Sequence, residues 1–478
     1  MLKPRFQARY AAGRWALAAA MAIVVSCRGR EARVLSHPHI ALIVLDTVRR
    51  DALHAYGFPA DVSPTFDAFG REGVLFEDAI APAPWTLPSH ASMFTGLSPS
   101  EHGADYETML LDAKHVTIAE RLTGLGYQTL GLSTNPWLTK FTGMDQGFET
   151  FLSIPWSMRK RNEVDKGSDA LLQRLLFWNR NKRDASRPLF LFANLMEAHA
   201  PYLPPPEYRK AMAGPRGLAA TADQSSLVRF LKHNLGISRM RADEVKLLRL
   251  LYQAGIIRQD LVLRRLLRMV ERMAPGALVI IAADHGESFD EHGLLGHEFS
   301  MYEELLRVPM AVKWPSCLPA GRKVTAPVSL TDLFGMILKA GQQPSRCGKA
   351  LDPLDLLPQA RDPLRIRISE CHRPVPMERL ARVFSEAAVD SINRRRKAVI
   401  RGPFKLIADA KGERVLYDLR ADPGEMKPLE PAAVPEALLL TSVLGPWIEA
   451  PVETARPGST DHLPIQLQEQ LKAIGYAL

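Results

Sequence analysis

Ala277-Leu278-Val279-Ile280-Ile281-Ala282-Ala283-Asp284-His285-Gly286-Glu287 is a continuous apolar run that ends abruptly in charge. The run is too short for a buried helix and its middle is filled with branched side chains. It therefore predicts a strand covered on both faces. Two other stretches have the same form. His39 to Leu45 ends at Asp46-Thr47, and Pro188 to Leu195 ends at Met196-Glu197-Ala198-His199-Ala200-Pro201. Tyr127 to Leu132 and Val308 to Lys313 are also strand-like.

Between these runs lie helical signals. Ser63-Pro64 supplies an N-cap followed by Pro at N1, Thr117 precedes apolar residues at helical spacing, and Ala242 to Met273 is amphipathic with many Arg residues on its polar face. Apolar strands alternating with amphipathic helices predict an α/β fold, a largely parallel central sheet flanked by helices. Residues 203–225, with Pro204-Pro205-Pro206 and few apolar positions, read as a mobile surface loop. Beyond about residue 342 the texture changes. Ala398 to Ala408 and Arg414 to Leu419 read as an antiparallel pair around Asp409-Ala410-Lys411-Gly412, within a small C-terminal α+β subdomain spanning 342–478.

The N-terminus differs in kind. Lys3, Arg5, Arg9 and Arg14 precede the apolar stretch Trp15 to Val25, too short to span a bilayer as a stable anchor. The stretch ends in Val24-Val25-Ser26-Cys27 and resembles a bacterial lipobox. Residues 1–26 then form a signal peptide, Cys27 carries the lipid, 28–37 form a tether, and 38–341 form the main domain. A plain cleaved signal and an uncleaved anchor are the alternatives. The lipid reading places the protein outside the cytoplasm, held to a membrane at the periplasm or cell surface.

Composition is that of a globular protein: 478 residues, 46% hydrophobic and 24% charged. Removing the leader's four basic residues brings the formal charge of +9 down to +5, with no basic stripe. That excludes nucleic acid as the expected partner and leaves a mild preference for anionic substrates or envelope surfaces. Cys317, Cys347 and Cys371 allow one disulfide among three pairings.

In open α/β sheets, ligand sites lie beyond the carboxyl ends of the strands. The fold would therefore gather Asp46, His199, Asp284 and His285 on one edge. Two carboxylates and one imidazole suit a single divalent cation: Ca²⁺, Mg²⁺ or Mn²⁺, with Zn²⁺ compatible. The competing reading is an ion-pair network with Arg49, Arg50 or Asp51. In Pro84-Trp85-Thr86-Leu87-Pro88-Ser89-His90, Pro88 starts a helix and Thr86 sits at or just before its N-terminus, either as an N-cap or as an activated nucleophile.

Several segments resemble the sulfatases of the alkaline phosphatase superfamily, in order and over roughly residues 39–430. They are Leu45-Asp46-Thr47-Val48-Arg49-Arg50-Asp51, Trp85-Thr86-Leu87-Pro88-Ser89-His90, Ala198-His199-Ala200-Pro201-Tyr202, Ala283-Asp284-His285-Gly286-Glu287 and Leu294-Leu295-Gly296-His297 with Tyr302-Glu303-Glu304-Leu305. Ser329-Leu330-Thr331-Asp332-Leu333, Leu416-Tyr417-Asp418-Leu419 and Asp422-Pro423-Gly424-Glu425 continue the series. The resemblance implies Asp46, Asp284 and His285 as metal ligands with Thr86 as a fourth. It also implies His199 and His297 as groups that bind the anion or protonate the leaving group, and as an imidazole either could titrate near neutrality without special tuning. His297 holds what is often a lysine position.

The sequence departs from the family at Thr86, where active sulfatases carry the Cys or Ser that becomes formylglycine, and at His90, where they carry Arg. Thr47 replaces a second Asp. Thr at this position resembles the nucleotide pyrophosphatases/phosphodiesterases and lipoteichoic acid synthase. The expected activity is cleavage or transfer of a phosphate mono- or diester or a phosphonate ester through a Thr86 ester. A sulfuric ester hydrolase without formylglycine and a non-catalytic lipoprotein binding an anionic glycan or lipid headgroup are the alternatives.

Overall fold

The computed structural model describes residues 36–449 except 107, 161, 162, 373–383, 386–388, 390, 391 and 393. Cys27 and the signal and tether readings lie outside the described residues. At the centre is strand β1 (Ile40–Leu45), every residue of which is buried, as the continuous apolar run requires. In chain order the other strands of its sheet are β2 (Val74–Ile80), β3 (Gln128–Ser133), β4 (Thr150–Ser153), β5 (Leu189–Leu195), β6 (Leu278–Ala282), β7 (Arg307–Lys313), β8 (Arg322–Val324) and β9 (Val328–Ser329). The spatial order is β8-β2-β7-β6-β1-β5-β3-β4, with β9 beside β2.

From β6 through β4 all pairings are parallel, whereas β7 runs antiparallel to both β6 and β2. The sheet is thus mixed, with its site-bearing half parallel. Register sets which polar residues meet at the sheet edge. Val44 of β1 lies opposite Asn194 of β5 and Ala282 of β6. Asp46 and Asp284, each two residues beyond those partners, leave neighbouring strands at the same level.

Five helices matter for the site: α1 (Pro64–Glu72), α2 (Thr86–Thr95), α3 (Pro206–Leu218), α4 (Leu227–Asn234) and α5 (Ala242–Met273). Helix α5 braces the loops that follow β1 and β5. Tyr252 Oη accepts from Arg49 N at 2.8 Å and donates to Thr47 O at 2.9 Å. Gln259 accepts from Ala198 N at 2.8 Å and donates to Leu195 O at 3.1 Å. Gly255 permits this approach, because a Cβ there would stand 2.6 Å from Glu197 O.

Two expectations are corrected, and one strand was not anticipated. Residues 203–225 fold as α3 followed by a 3₁₀ turn at Ala222–Ser225, with a kink at Gly214 before Pro215. The segment is held by a polar anchor rather than an apolar stripe: buried Arg209 donates to Gly217 O and Ala220 O. Strand β2 carries no clear strand signal, since Glu77 and Asp78 interrupt its apolar run; Arg367 pairs with Asp78 at 2.7 Å from the C-terminal sheet. The run Ala398 to Ala408 is two strands rather than one, split at Gly402 (φ 55°).

The C-terminal sheet is antiparallel, β10 (Arg367–Cys371), β11 (Arg396–Arg401), β12 (Phe404–Asp409) and β13 (Arg414–Asp418), with helix Glu436–Glu449 packed on it. Cys317 and Cys347 form a disulfide and Cys371 is a buried thiol. Among the described residues no helix is long and apolar enough to cross a membrane.

Candidate metal centre and active site

Asp46, Asp284 and His285 are fully buried, and one ligand atom from each lies within 4.8 Å of the others. Asp46 Oδ1, Asp284 Oδ2 and His285 Nε2 have no protein hydrogen-bond partner. Unpaired polar atoms this deep are costly, and three convergent ones of these chemical types fit a divalent cation. The remaining atoms are fixed by the protein. Asp46 Oδ2 accepts from Asn135 Nδ2 at 2.7 Å and Asn194 Nδ2 at 3.0 Å. Asp284 Oδ1 accepts from Thr47 N at 3.2 Å and His285 N at 3.0 Å, while His285 Nδ1 donates to Gly286 O at 2.9 Å. These outer bonds orient the ligand atoms.

The electrostatics agree with that fit. Burial, then the neighbouring Asp284 charge, push the Asp46 carboxyl up to about 7. Burial also raises Asp284 to about 7, opposed by the N–H groups of Thr47 and His285 and by the Thr86 hydroxyl. Burial lowers His285. The anticipated ion-pair network with Arg49 and Asp51 is a separate structure: Arg49 pairs with Asp51 at 2.7 Å and also with Glu291.

Thr86 opens α2. The N-cap is Trp85, with no side-chain capping bond, so Thr86 is the first helical residue rather than the cap. Its Oγ1 accepts from Asn135 Nδ2 at 3.1 Å, the same amide that binds Asp46. His90, one turn on, donates from Nδ1 to Thr86 O at 2.9 Å and stands 3.6 Å from Asp284 Oδ2. Burial lowers His90 to about 3, so the position at which sulfatases carry Arg is neutral here.

His199 and His297 meet across the site, with ring centroids 5.1 Å apart, and His297 lies 4.6 Å from His285. Both depart from the expectation of near-neutral pKa values. Burial first, and then a neighbouring imidazole, hold each well below the ordinary value. His297 Nδ1 faces Glu287 Oε1 at 2.9 Å, and burial raises Glu287 to about 7.

The structure adds residues that the sequence pattern did not single out. Asn194 is a buried amide inside an otherwise apolar strand, which is a legible signal. Asn135 follows the end of β3 and is readable only by the strand-end rule. Lys166 has no sequence signal: its buried Nζ donates to Glu197 O at 3.1 Å and to His199 O, and burial lowers its pKa to about 8. A second carboxylate–imidazole group, His292, Glu304 and Glu425, also lies within 4.8 Å. There Lys405 Nζ, 2.9 Å from Glu425 and 3.0 Å from Glu303, already supplies positive charge.

Comparison with known proteins bears on the same residues. The Sulfatase family profile matches residues 38–342, more than half of the chain. The chain is 23% identical to mouse (Mus musculus) steryl-sulfatase, over 83% of this chain and 79% of that protein. It is 24% identical to the arylsulfatase of Clostridium perfringens, over 60% and 70%. The solved phosphonate monoester hydrolase of Agrobacterium radiobacter has the same fold, with a TM-score of 0.67 at 18% identity over 86% and 95% of the two chains.

Proposed function

The chain belongs to the sulfatase family of ester hydrolases, and from that premise we propose that it cleaves or transfers phosphate or phosphonate esters with Thr86 as nucleophile. The observation that carries this reading is the Asn135 amide, which holds the Thr86 hydroxyl and the Asp46 carboxylate together. A secondary alcohol cannot mature to formylglycine, so Thr86 itself is the group available for attack. Asp46, Asp284 and His285 would hold a divalent cation, which would neutralise charge at the Thr86 hydroxyl and on the ester. Two carboxylates and one imidazole suit Mn²⁺, Mg²⁺ or Ca²⁺, and Zn²⁺ is compatible with the same ligands.

The Oγ1–phosphorus bond forms as the Thr86 hydroxyl proton passes to the adjacent Asp284 carboxylate and the bond to the alcohol oxygen breaks. Helix α2 presents its N-terminus, whose N–H groups favour the anion. The departing alkoxide takes a proton from His297, and Glu287, with its carboxyl near 7, replaces that proton through Nδ1. His199 donates from Nδ1 to Ala200 O and burial keeps the ring neutral, which leaves its Nε2 an acceptor at the site. Water, or an acceptor alcohol in a transferase, then breaks the phosphorus–Oγ1 bond; its proton returns through His297 to Glu287, and Oγ1 regains its own from Asp284.

A sulfate ester substrate is the second reading, favoured by the names of the curated relatives, sulfatases of aryl, steryl and sugar esters. The test is a panel of aryl sulfate, phosphate monoester, phosphodiester and phosphonate monoester with each cation, run on wild type and Thr86→Ala. Turnover of phosphorus esters that Thr86→Ala abolishes is the expected result. Turnover of the sulfate alone, or undiminished turnover by Thr86→Ala, contradicts it. The extracytoplasmic, lipid-anchored location belongs to the same proposal. It is supported by the leader sequence and by the Cys317–Cys347 disulfide, which persists in oxidising compartments.

A further inference from the structure

A pocket opens beside the two catalytic histidines. Its wall includes His199, Ala200, Leu227, Phe230, His297 and Phe299, and its empty space is about 350 Å³ when the open mouth is counted. Only about 30 Å³ of it is room that a water-sized group can occupy, enough for a small alkyl group and not for a whole ring. Of the two other polar side chains on the wall, Ser225 Oγ accepts from Tyr202 N at 3.0 Å and Glu298 Oε1 accepts from Tyr106 Oη at 2.8 Å. The pocket therefore offers mostly carbon to whatever enters it, and few hydrogen bonds to a sugar's hydroxyls.

The apolar side is built in fixed register with His297. Helix α4, from the chain between β5 and α5, carries Leu227 and Phe230. Asn234 at its end exchanges two bonds with Leu295, donating to its O at 3.0 Å and accepting from its N at 2.8 Å. His233 Nε2 meets Asp290 at 2.9 Å. Residues Leu295–Gly296 lead directly into His297. Gly296 (φ 82°) lets the Phe230 ring close on the backbone, since a Cβ there would stand 3.1 Å from that ring. Behind the pocket, Phe299 and Leu231 continue into a separate apolar cluster against which Leu227 packs.

We infer that this pocket receives the leaving group of the ester, and that the part of the leaving group it encloses is a small apolar one, selected by Leu227, Phe230 and Phe299. The inference rests on the proposed function, because it is the placement of His297 as proton donor that assigns the pocket to the departing oxygen. Burial of added carbon in such a site is expressed as preference between substrates.

The test uses the full-length protein loaded with Mn²⁺ and a series of 4-alkylphenyl phosphates and phenylphosphonates, from methyl to butyl. Leaving-group acidity is nearly constant in this series, and a phenyl ester bearing a sugar substituent serves as the polar comparator. The expected result is a rise in kcat/KM of about fourfold per methylene until the pocket fills, as burial of a CH₂ predicts, with the sugar-bearing ester the poorest substrate. Leu227→Asn and Phe230→Ala should flatten the series. The wild-type series is decisive even where a variant fails to fold. A flat or falling series, or preference for the sugar-bearing ester, with turnover intact, overturns the inference and leaves the proposed function standing. No turnover of any ester overturns both.

Discussion

Replacing Asp284 by Asn should stabilise the metal-free protein while abolishing its response to divalent cations. In the absence of a cation the Asp284 carboxyl is pushed from 3.8 to about 7, chiefly by burial, and Asp46 beside it is raised likewise. A displacement of that size is worth roughly 4 kcal/mol at about 1.4 kcal/mol per pH unit. The folded protein holds these protons up to about pH 7, whereas the unfolded chain releases them near 3.8. Metal-free wild type therefore loses stability as pH rises between those values and levels off above them. The substituted amide would carry no charge to desolvate, and its oxygen could still accept from Thr47 N and His285 N. After relaxation around the site, Asp284→Asn should gain about 2–4 kcal/mol at pH 8 in chelator, or about 2–5 °C in Tm for a chain of this length. Saturating cation should reverse the order, adding about 4 kcal/mol to wild type at a thousandfold excess over Kd and little to the variant. The assay is thermal unfolding by circular dichroism at pH 5 and pH 8, with chelator or with Mn²⁺. A metal-free wild type equally stable at both pH values, together with a variant that melts lower in chelator, would refute the reasoning.

The same geometry sets three further outcomes. Asn135→Ala removes the amide that joins Asp46 to Thr86 and should lower kcat/KM by about 10–100-fold, as loss of outer-shell orientation does; steady-state kinetics with saturating cation reads it. Glu370 is buried, and although burial would raise its carboxyl, Lys397 at 2.9 Å and Ser100 N at 2.8 Å hold it below the usual range. Its contribution is present above the ordinary carboxylate value and lost as pH falls through the lowered one. Glu370→Gln should therefore cost about 2–4 kcal/mol at pH 7 and progressively less on acidification, read by urea denaturation across pH. Cys27→Ser should move the protein from the membrane fraction to the soluble fraction if the leader is a lipobox, read by fractionation and immunoblot.

Much of the parallel half of the fold was legible because β1, β5 and β6 are apolar almost throughout and each ends in charge. That pattern has one cheap solution, strands buried on both faces with polar residues released at one edge. The same reading located Asp46, His199, Asp284 and His285. It failed where a segment's stability comes from partners distant in sequence. Helix α3 depends on buried Arg209 rather than on an apolar stripe, and β2 tolerates Asp78 because Arg367 reaches it across 289 positions. Lys166 and Asn135 are ordinary polar residues until the fold brings them to Glu197, His199, Asp46 and Thr86. The histidine pKa values escaped the sequence for the same reason, since a sequence states neither the burial of a ring nor the imidazole beside it.

The central claim is that one cation sits between Asp46, Asp284 and His285 within reach of Thr86. Anomalous diffraction from crystals of the Mn²⁺-loaded protein tests it most directly. The account predicts a single strong peak coordinated by Asp46 Oδ1, Asp284 Oδ2 and His285 Nε2, with Thr86 Oγ1 facing it. A fully active protein whose peak lies elsewhere, or which shows none at these three atoms, would contradict it.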